Sequence, residues 1–246
     1  AFGTSFWMLF SLGRLDNLIT FSSHSMSFKA IMDVGGHSKD TVSEDSRIFY
    51  QCWLRYNGDY EVTPLYIPVS MDTARDDSWW RSLKNLYFQQ RRWAWGTEHI
   101  PYLLWQFRLN KNISWTKKLS ALFHEWEGKW SWAVVAILIT VIGRLPLWVA
   151  GNEVRQSALF FNAPNILEAL MTLAMLGLLV SAIMSMLILP RRPGNQPRHR
   201  YLFMILQWPL LPVSLIFFSA LPCLDAVTRL MLGKYLGFNV SVKKRS

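Results

Sequence analysis

The chain has 246 residues, of which 51% are hydrophobic and 17% are charged, and its formal net charge is +10. Residues 1–130 carry 15 basic and 13 acidic side chains, whereas residues 131–246 carry 11 and 3. Because the excess of basic charge lies between apolar runs, it favours an anionic membrane surface and argues against nucleic-acid binding. The two cysteines, Cys52 and Cys223, are far apart in the sequence, which argues against a disulfide, and two are too few for a zinc site.

The first predicted elements are a short strand over residues 24–28 and a helix over residues 28–34. Gly35 and Gly36 should end this helix, because glycine readily adopts the left-handed conformation found at helix C-termini. These elements therefore predict a compact strand-helix unit that ends just before an acidic segment.

A second helix should begin at that acidic segment. Ser43 is a suitable N-cap, and Glu44 and Asp45 fall in the first turn, where the helix dipole favours anions. The helix is predicted to run to about residue 56 and to stop at an Asn-Gly pair. Residues 60–71 contain β-branched and aromatic residues with two prolines, which predicts an edge strand or an extended arm.

A third, long helix is predicted from residues 76–77 to near residue 96 or 101, and it contains the pattern Q-x-x-R-W. Within a helix, Gln89, Arg92 and Trp93 stand at i, i+3 and i+4 and therefore share a face. That face presents an amide, a planar cation and an indole. These groups are suited to hold a diphosphate and to stack on a sugar ring.

The second half of the chain is predicted to be membrane-associated. Residues 109–130, rich in Trp, Phe and Lys, predict an interfacial amphipathic segment, and residues 131–246 predict a transmembrane region with a basic cytoplasmic tail. Its three apolar blocks, near 130–150, 166–189 and 201–221, are each long enough to cross a bilayer. The basic loop after the second block favours a multi-pass protein whose catalytic part is cytoplasmic.

The order of these motifs resembles the membrane-embedded inverting family-two glycosyltransferases, the relatives of cellulose and hyaluronan synthases. The triplet Ser43-Glu44-Asp45 is followed at a similar distance by Q-x-x-R-W and then by apolar segments. The resemblance also includes SSHSMSFKAIMDVGGHSKDTVSEDSRIF, which is similar to the acceptor-side segment of the family, and QQRRWAWGTEHIPY, which is similar to the start of its interfacial helix. It covers residues 20–108 well and the apolar half in outline.

The resemblance implies an α/β fold class, with residues 1–108 forming the C-terminal part of a GT-A-type domain ahead of an α-helical transmembrane region. It implies transfer of a sugar from a nucleotide-diphosphate donor to a hydroxyl acceptor, polysaccharide or lipid-linked, with inversion. The resemblance implies that Asp45 is the catalytic base. It implies that Trp93 and Glu44 bind the acceptor, and that Gln89 and Arg92 bind the donor diphosphate.

The family also uses Mg²⁺ or Mn²⁺, normally bound by an Asp-x-Asp pattern that this sequence lacks. We therefore expect the metal ligands and the donor-binding half to lie upstream of residue 1. The chain by itself is accordingly expected not to turn over substrate.

Several alternatives stay open on the residues alone. The acidic triplet could serve only as a helix N-terminus, and Trp93 could be an ordinary buried aromatic. Arg91, about 100° from Arg92, is predicted to contact the surface or lipid headgroups. Arg47 is predicted to be structural, and His99 is predicted to be a satisfied polar residue rather than a ligand. The alternative of another class is a non-enzymatic membrane protein, either a transporter subunit or an anchored binding module. It predicts that replacing Asp45 or Trp93 leaves function intact.

Overall fold

The computed structural model describes residues 18–65, 67, 76–140, 158–188 and 210–237. These residues fall into two compact units. One contains residues 137–140, 158–188 and 210–213, and the other contains residues 18–65, 67, 76–136 and 214–237. Both predicted motifs belong to the second unit.

The described residues are mainly helical and contain no β-strand, so the predicted α/β fold class is wrong for them. Residues 24–27 and 60–65 both lie outside regular structure. A strand needs a partner for its backbone N–H and C=O groups. Local β propensity can suggest such segments, but it cannot supply that partner. The remainder of the predicted arm, apart from residue 67, lies outside the described residues.

The first two helices have the ends that the sequence predicted. Helix α1 spans Phe28–Asp33, and the N–H groups of Gly35 and Gly36 donate to the carbonyls of Met32 and Ile31 at 3.2 and 3.0 Å. This is a Schellman arrangement, and both glycines have positive φ angles, 78° and 89°. Helix α2 spans Glu44–Arg55, and the chain leaves it through Asn57 and Gly58, also at positive φ.

The Q-x-x-R-W pattern lies in one continuous helix. Helix α3 spans Trp79–Ala94, with Ser78 rather than an aspartate at its N-cap. A 3-10 turn, Trp95–Glu98, then joins it to helix α4, His99–Leu109. The predicted end of α3 near residue 96 is therefore confirmed, and Pro101 is tolerated in the first turn of α4, where its missing N–H is not needed.

Long apolar helices follow. Helix α5 spans Trp115–Thr140 and α6 spans Ala158–Ile188. Near the C-terminus come a short helix α7, Leu211–Leu215, a π-helical turn, Ile216–Ala220, and helix α8, Leu221–Met231.

Among the described residues, one helical run, Val213–Met231, is long and apolar enough to cross a membrane. The prediction of three spans is not supported by these residues. Parts of the first and third predicted blocks, residues 141–150 and 201–209, lie outside them.

Two apolar cores stabilise the unit that carries the motifs. In the first, α2 packs on α4, and Phe49, Leu54, Leu103, Phe107 and Ile113 are buried. In the second, the end of α3 packs between α5 and α8, and the buried residues are Val42, Ala94, Trp95, Ala133, Cys223 and Ala226. The acidic triplet is thus connected to both cores, since it begins α2 and directly follows Val42.

Candidate functional site

The acidic triplet occupies the N-terminus of α2, as predicted, but its side chains do not act as a simple cap. Ser43 stands at the N-cap position, yet its hydroxyl makes no capping bond and is buried without a partner in the described structure. Glu44 and Asp45 are partly buried. Oδ1 of Asp45 accepts a bond from the N–H of Ser46 at 2.9 Å, and the Asp45 carbonyl accepts from the Thr20 hydroxyl at 2.6 Å. The carboxylate that the resemblance assigns as base is therefore oriented by its own backbone.

The side chains of the Q-x-x-R-W motif divide between two environments. Trp93 is 51% exposed, so the reading of this residue as an ordinary buried aromatic is wrong. Gln89 and Arg92 are partly buried on the neighbouring part of the helix surface. The buried aromatic is instead Trp95, at 3% exposure. An indole that a folded protein leaves half exposed is available to stack on a ligand.

The two motif segments are joined by Glu98. Its Oε1 lies 3.3 Å from Nη2 of Arg47 and accepts a bond from the Thr41 hydroxyl, while Oε2 accepts from the indole N–H of Trp95 at 3.0 Å. Thr41 and Arg47 lie on either side of the acidic triplet, and Trp95 lies two residues beyond Trp93. The described contacts thus place the segment of Asp45 beside the end of the motif helix.

His99 makes a second connection between the same segments. Its Nε2 lies 2.8 Å from the hydroxyl of Ser46, while its buried Nδ1 has no hydrogen-bond partner among the described residues. Burial is the main reason why the pKa of His99 is well below its usual value, and the charges of Arg47 and Lys129 lower that pKa further. The imidazole is therefore neutral near pH 7, and only one of its ring nitrogens is paired among the described residues, so the prediction of a fully satisfied polar side chain is not met.

The environment of Arg47 agrees with its predicted structural role. The side chain is 7% exposed, it pairs with Glu98, and its guanidinium lies 3.8 Å from the ring centroid of Tyr102. A guanidinium held by a carboxylate and an aromatic face is a fixed part of the scaffold.

Arg91 is not a surface or lipid-headgroup contact, and that prediction is wrong. Its Nη1 lies 2.8 Å from Oδ2 of Asp225 on α8, and its side chain is 12% exposed. The Asp225 carboxylate also accepts a 2.7 Å bond from Nε of Arg229 and a 3.5 Å bond from the hydroxyl of Tyr87. The helical period places Arg91 about 160° from Trp93. Helix α8 therefore covers the side of α3 that lies away from the exposed indole.

The C-terminal segment also reaches the neighbourhood of the acidic triplet. The ring of Tyr235 meets that of Trp95 edge-on, with centroids 5.9 Å apart. The pKa of Tyr235 is raised, first by burial and then by the carboxylates of Glu98, Asp40 and Glu44. A tyrosine more than 170 residues downstream thus lies in the electrostatic field of Glu44.

A cleft of about 530 Å³ opens near the C-terminal end of α2, away from the acidic triplet. Its lining includes Asp33, Gln51, Arg55 and Gln106, and it includes neither Asp45 nor Trp93. The residues to which the resemblance assigns the base and the acceptor site therefore lie outside this cleft.

The described residues contain no cluster of three or more His, Cys, Asp or Glu side chains suited to hold a metal ion. They therefore do not provide the ligands for the Mg²⁺ or Mn²⁺ that the resemblance implies. Both cysteines are buried free thiols, which agrees with the prediction that they form no disulfide.

Sequence reasoning missed Glu98, Asp225 and Tyr235 as neighbours of the motifs. The first has a local signal, because it stands three residues after Trp95 in a short turn and can reach back to that indole. The other two have none, since the approach of α8 and its following segment is a long-range contact. No family model, no curated protein and no solved structure was found to match this chain.

Proposed function

We propose that this chain carries the acceptor side of an inverting glycosyltransferase. The donor is a nucleotide-diphosphate sugar, and the acceptor is a hydroxyl group of a polysaccharide or a lipid-linked sugar. The observation that supports this most is the Glu98 junction, which holds the segment of Asp45 against the end of the helix that bears Q-x-x-R-W.

In this proposal Asp45 is the base. Its Oδ1 is held by the N–H of Ser46, and Oδ2 takes the proton of the acceptor hydroxyl. The acceptor oxygen then bonds to the anomeric carbon as the bond from that carbon to the diphosphate oxygen breaks on the opposite face. The diphosphate leaves with the bonding electron pair, and the anomeric configuration is inverted.

The proposed ligand contacts lie along one side of α3. The indole of Trp93 stacks on the acceptor sugar, and Glu44 accepts hydrogen bonds from its hydroxyls. Gln89 and Arg92 contact the leaving diphosphate, where the guanidinium offsets the negative charge that grows as the bond breaks.

The same proposal places the unit at a membrane surface, on the cytoplasmic side where nucleotide sugars are made. Helix α5 supports this placement, because the exposed large side chains of its residues 115–130 recur at helical spacing within an arc of about 80°. They are Trp115, Leu119, Phe123, Trp126 and Trp130. Tryptophan-rich faces of this kind are typical of helices that lie at the boundary between headgroups and hydrocarbon.

The test uses the complete reading frame that contains this chain, expressed in membranes and supplied with a panel of radiolabelled nucleotide sugars. We expect Asp45→Asn to reduce transfer by roughly 10²–10⁴-fold, the usual contribution of a general base. We expect Trp93→Ala to abolish transfer while the protein stays in the membrane fraction. Matched controls are Asp59→Asn, an exposed carboxylate in a loop, and Trp79→Ala, an exposed indole on the same helix.

Two results would count against the proposal. Wild-type transfer rates in both Asp45→Asn and Trp93→Ala would contradict the roles proposed for these residues, and the absence of any transfer by the wild-type protein would favour the non-enzymatic membrane protein. Recovery of the wild-type protein in the soluble fraction after lysis without detergent or an alkaline wash would contradict the placement at a membrane.

A further inference from the structure

The two carboxylate oxygens of Glu98 connect the segment around the acidic triplet to the end of the motif helix. Glu98 closes the 3-10 turn Trp95–Glu98 that follows the motif helix. One oxygen faces Thr41 and Arg47, which precede and follow the acidic triplet, and the other accepts from Trp95. The side chain is 12% exposed.

These contacts restrict the segment of the triplet from both of its ends. The Thr41 hydroxyl, besides donating to Glu98, accepts a bond from the N–H of Ser43 at 3.0 Å. On the other side, Arg47 lies two residues after Asp45, and its N–H donates to the carbonyl of Ser43 at 2.9 Å. Any shift of the Glu98 carboxylate is therefore transmitted to the start of α2.

Burial of this carboxylate makes its contacts important for local order. Burial raises the pKa of Glu98, and this outweighs the opposing influence of Arg47 and of the Trp95 hydrogen bond. Burying a carboxylate without hydrogen-bond donors costs free energy. Glu98 therefore needs its three partners, Thr41, Arg47 and Trp95, to stay in place. If Glu98 only added to stability, its contacts would support the whole unit. Its three hydrogen-bond and ion-pair partners instead all hold the start of α2 against the end of α3.

We propose that Glu98 is a positioning residue that sets the separation and orientation of the Asp45 carboxylate relative to the Trp93 indole. This inference rests on the proposed function for its catalytic consequence. Its geometric part, a fixed distance between α2 and α3, can be measured without any substrate.

The geometric test measures the distance between two spin labels in the complete protein. The labels are attached at Lys39→Cys, just before the acidic segment, and at Lys84→Cys on α3, both at exposed positions. The native Cys52 and Cys223 are buried. We expect one narrow distance distribution in the wild type and at least a twofold broader one in Glu98→Ala. Glu98→Gln, which keeps an oxygen acceptor and loses the charge, should be intermediate.

The matched control is Glu127→Gln on α5, whose carboxylate accepts a 2.8 Å bond from Ser131 within the same helix. This control should leave the distance distribution unchanged. It shows whether the loss of any glutamate charge is enough to broaden the distribution.

The catalytic test measures initial rates per folded molecule with the same nucleotide-sugar panel. We expect Glu98→Gln to lower kcat by roughly 10–100-fold with the KM for the donor within about threefold, as for a misplacement of catalytic groups by about 1 Å. Glu98→Asp should recover part of that loss. A role in overall stability alone would reduce the amount of folded protein and leave kcat per folded molecule unchanged.

The outcomes separate the two proposals. An unchanged distance distribution in both Glu98→Ala and Glu98→Gln overturns the positioning role, whatever the activity. A broader distribution with unchanged kcat also overturns it. If the wild type transfers no sugar but the distribution broadens, the geometric role of Glu98 is supported and the proposed function fails.

Discussion

The ion pair between Arg91 and Asp225 makes a sharp test of the fold, because it joins the motif helix to α8, which is part of the helical run Val213–Met231 that is apolar enough to cross a membrane. Nη1 and Oδ2 are 2.8 Å apart, and the two side chains are 12% and 25% exposed. Asp225→Asn should therefore loosen α8 from α3. The effect of removing this pair therefore shows whether Leu221–Met231 packs on the motif helix.

The magnitude follows from the burial of the pair. Exposed ion pairs contribute about 0.2–1 kcal/mol, and breaking a fully buried pair costs about 3–5 kcal/mol. This pair is intermediate, and after Asp225→Asn the guanidinium faces a neutral amide while it keeps its contact with the ring of Phe88, at 4.8 Å. We expect a loss of about 2 kcal/mol for Asp225→Asn. Arg91→Gln should cost less, because Arg229 still neutralises the carboxylate.

The assay is hydrogen exchange of the amides of α8 in detergent-solubilised protein, with both single variants and the double variant. A loss of about 2 kcal/mol corresponds to roughly 30-fold faster exchange by local opening. The coupling between the two substitutions should be about 1 kcal/mol or more, since residues in one ion pair are not additive. The control is Asp33→Asn, which removes an exposed pair with Lys29 and should not change exchange in α8.

Exchange in α8 within twofold of the wild type for Asp225→Asn would refute this reasoning, as would strictly additive effects of the two substitutions. Either result would mean that α8 is held against α3 without this pair.

Two further predictions concern the scaffold. His99→Gln should flatten the dependence of the urea midpoint on pH below about 6.5. The unfolded chain gains a proton on His99 near pH 6.5, whereas the folded chain does not, because its pKa is lowered. The stability that is present above pH 6.5 is therefore lost as the pH falls, by up to about 1.4 kcal/mol per pH unit. An unchanged dependence of the urea midpoint on pH in His99→Gln would contradict the buried neutral imidazole. Gly58→Ala should destabilise the protein by about 1 kcal/mol or more, because φ is +79° and the new Cβ would lie 3.1 Å from Cδ of Lys117. Gly128→Ala, in open space on α5, should instead stabilise it by about 0.5–1 kcal/mol. Urea unfolding measures both variants, and a change in the free energy of unfolding with the same sign in both would contradict this expectation.

The ends of the first helices could be predicted because their causes are local. A Schellman end needs a residue that tolerates positive φ just after the C-cap, as Gly35 and Gly36 do, and the Asn-Gly pair at residues 57–58 acts in the same way. The strands were wrongly predicted for the opposite reason. Their existence depends on a partner, and the apolar and β-branched residues at positions 60–65 carry no information about whether one is present.

The candidate site likewise combines features that local sequence predicts with features that depend on tertiary contacts. The period of 3.6 residues predicts that Gln89, Arg92 and Trp93 share a face, but it does not say which face of α3 meets the protein. The structure buries Trp95, largely covers Arg91 and leaves Trp93 half exposed, because α8, which bears Asp225, packs on the side of α3 that carries Arg91.

The sequence alone therefore determined the two motifs, their order and the helix boundaries around them, since each depends on residues within a few positions of one another. Tertiary structure decided which side chains are buried, which carboxylate joins the motifs and where α8 packs. Those outcomes depend on contacts between residues as far apart as Arg47 and Glu98 or Arg91 and Asp225, whose pairing is set by the packing of whole helices and is not encoded in any local pattern.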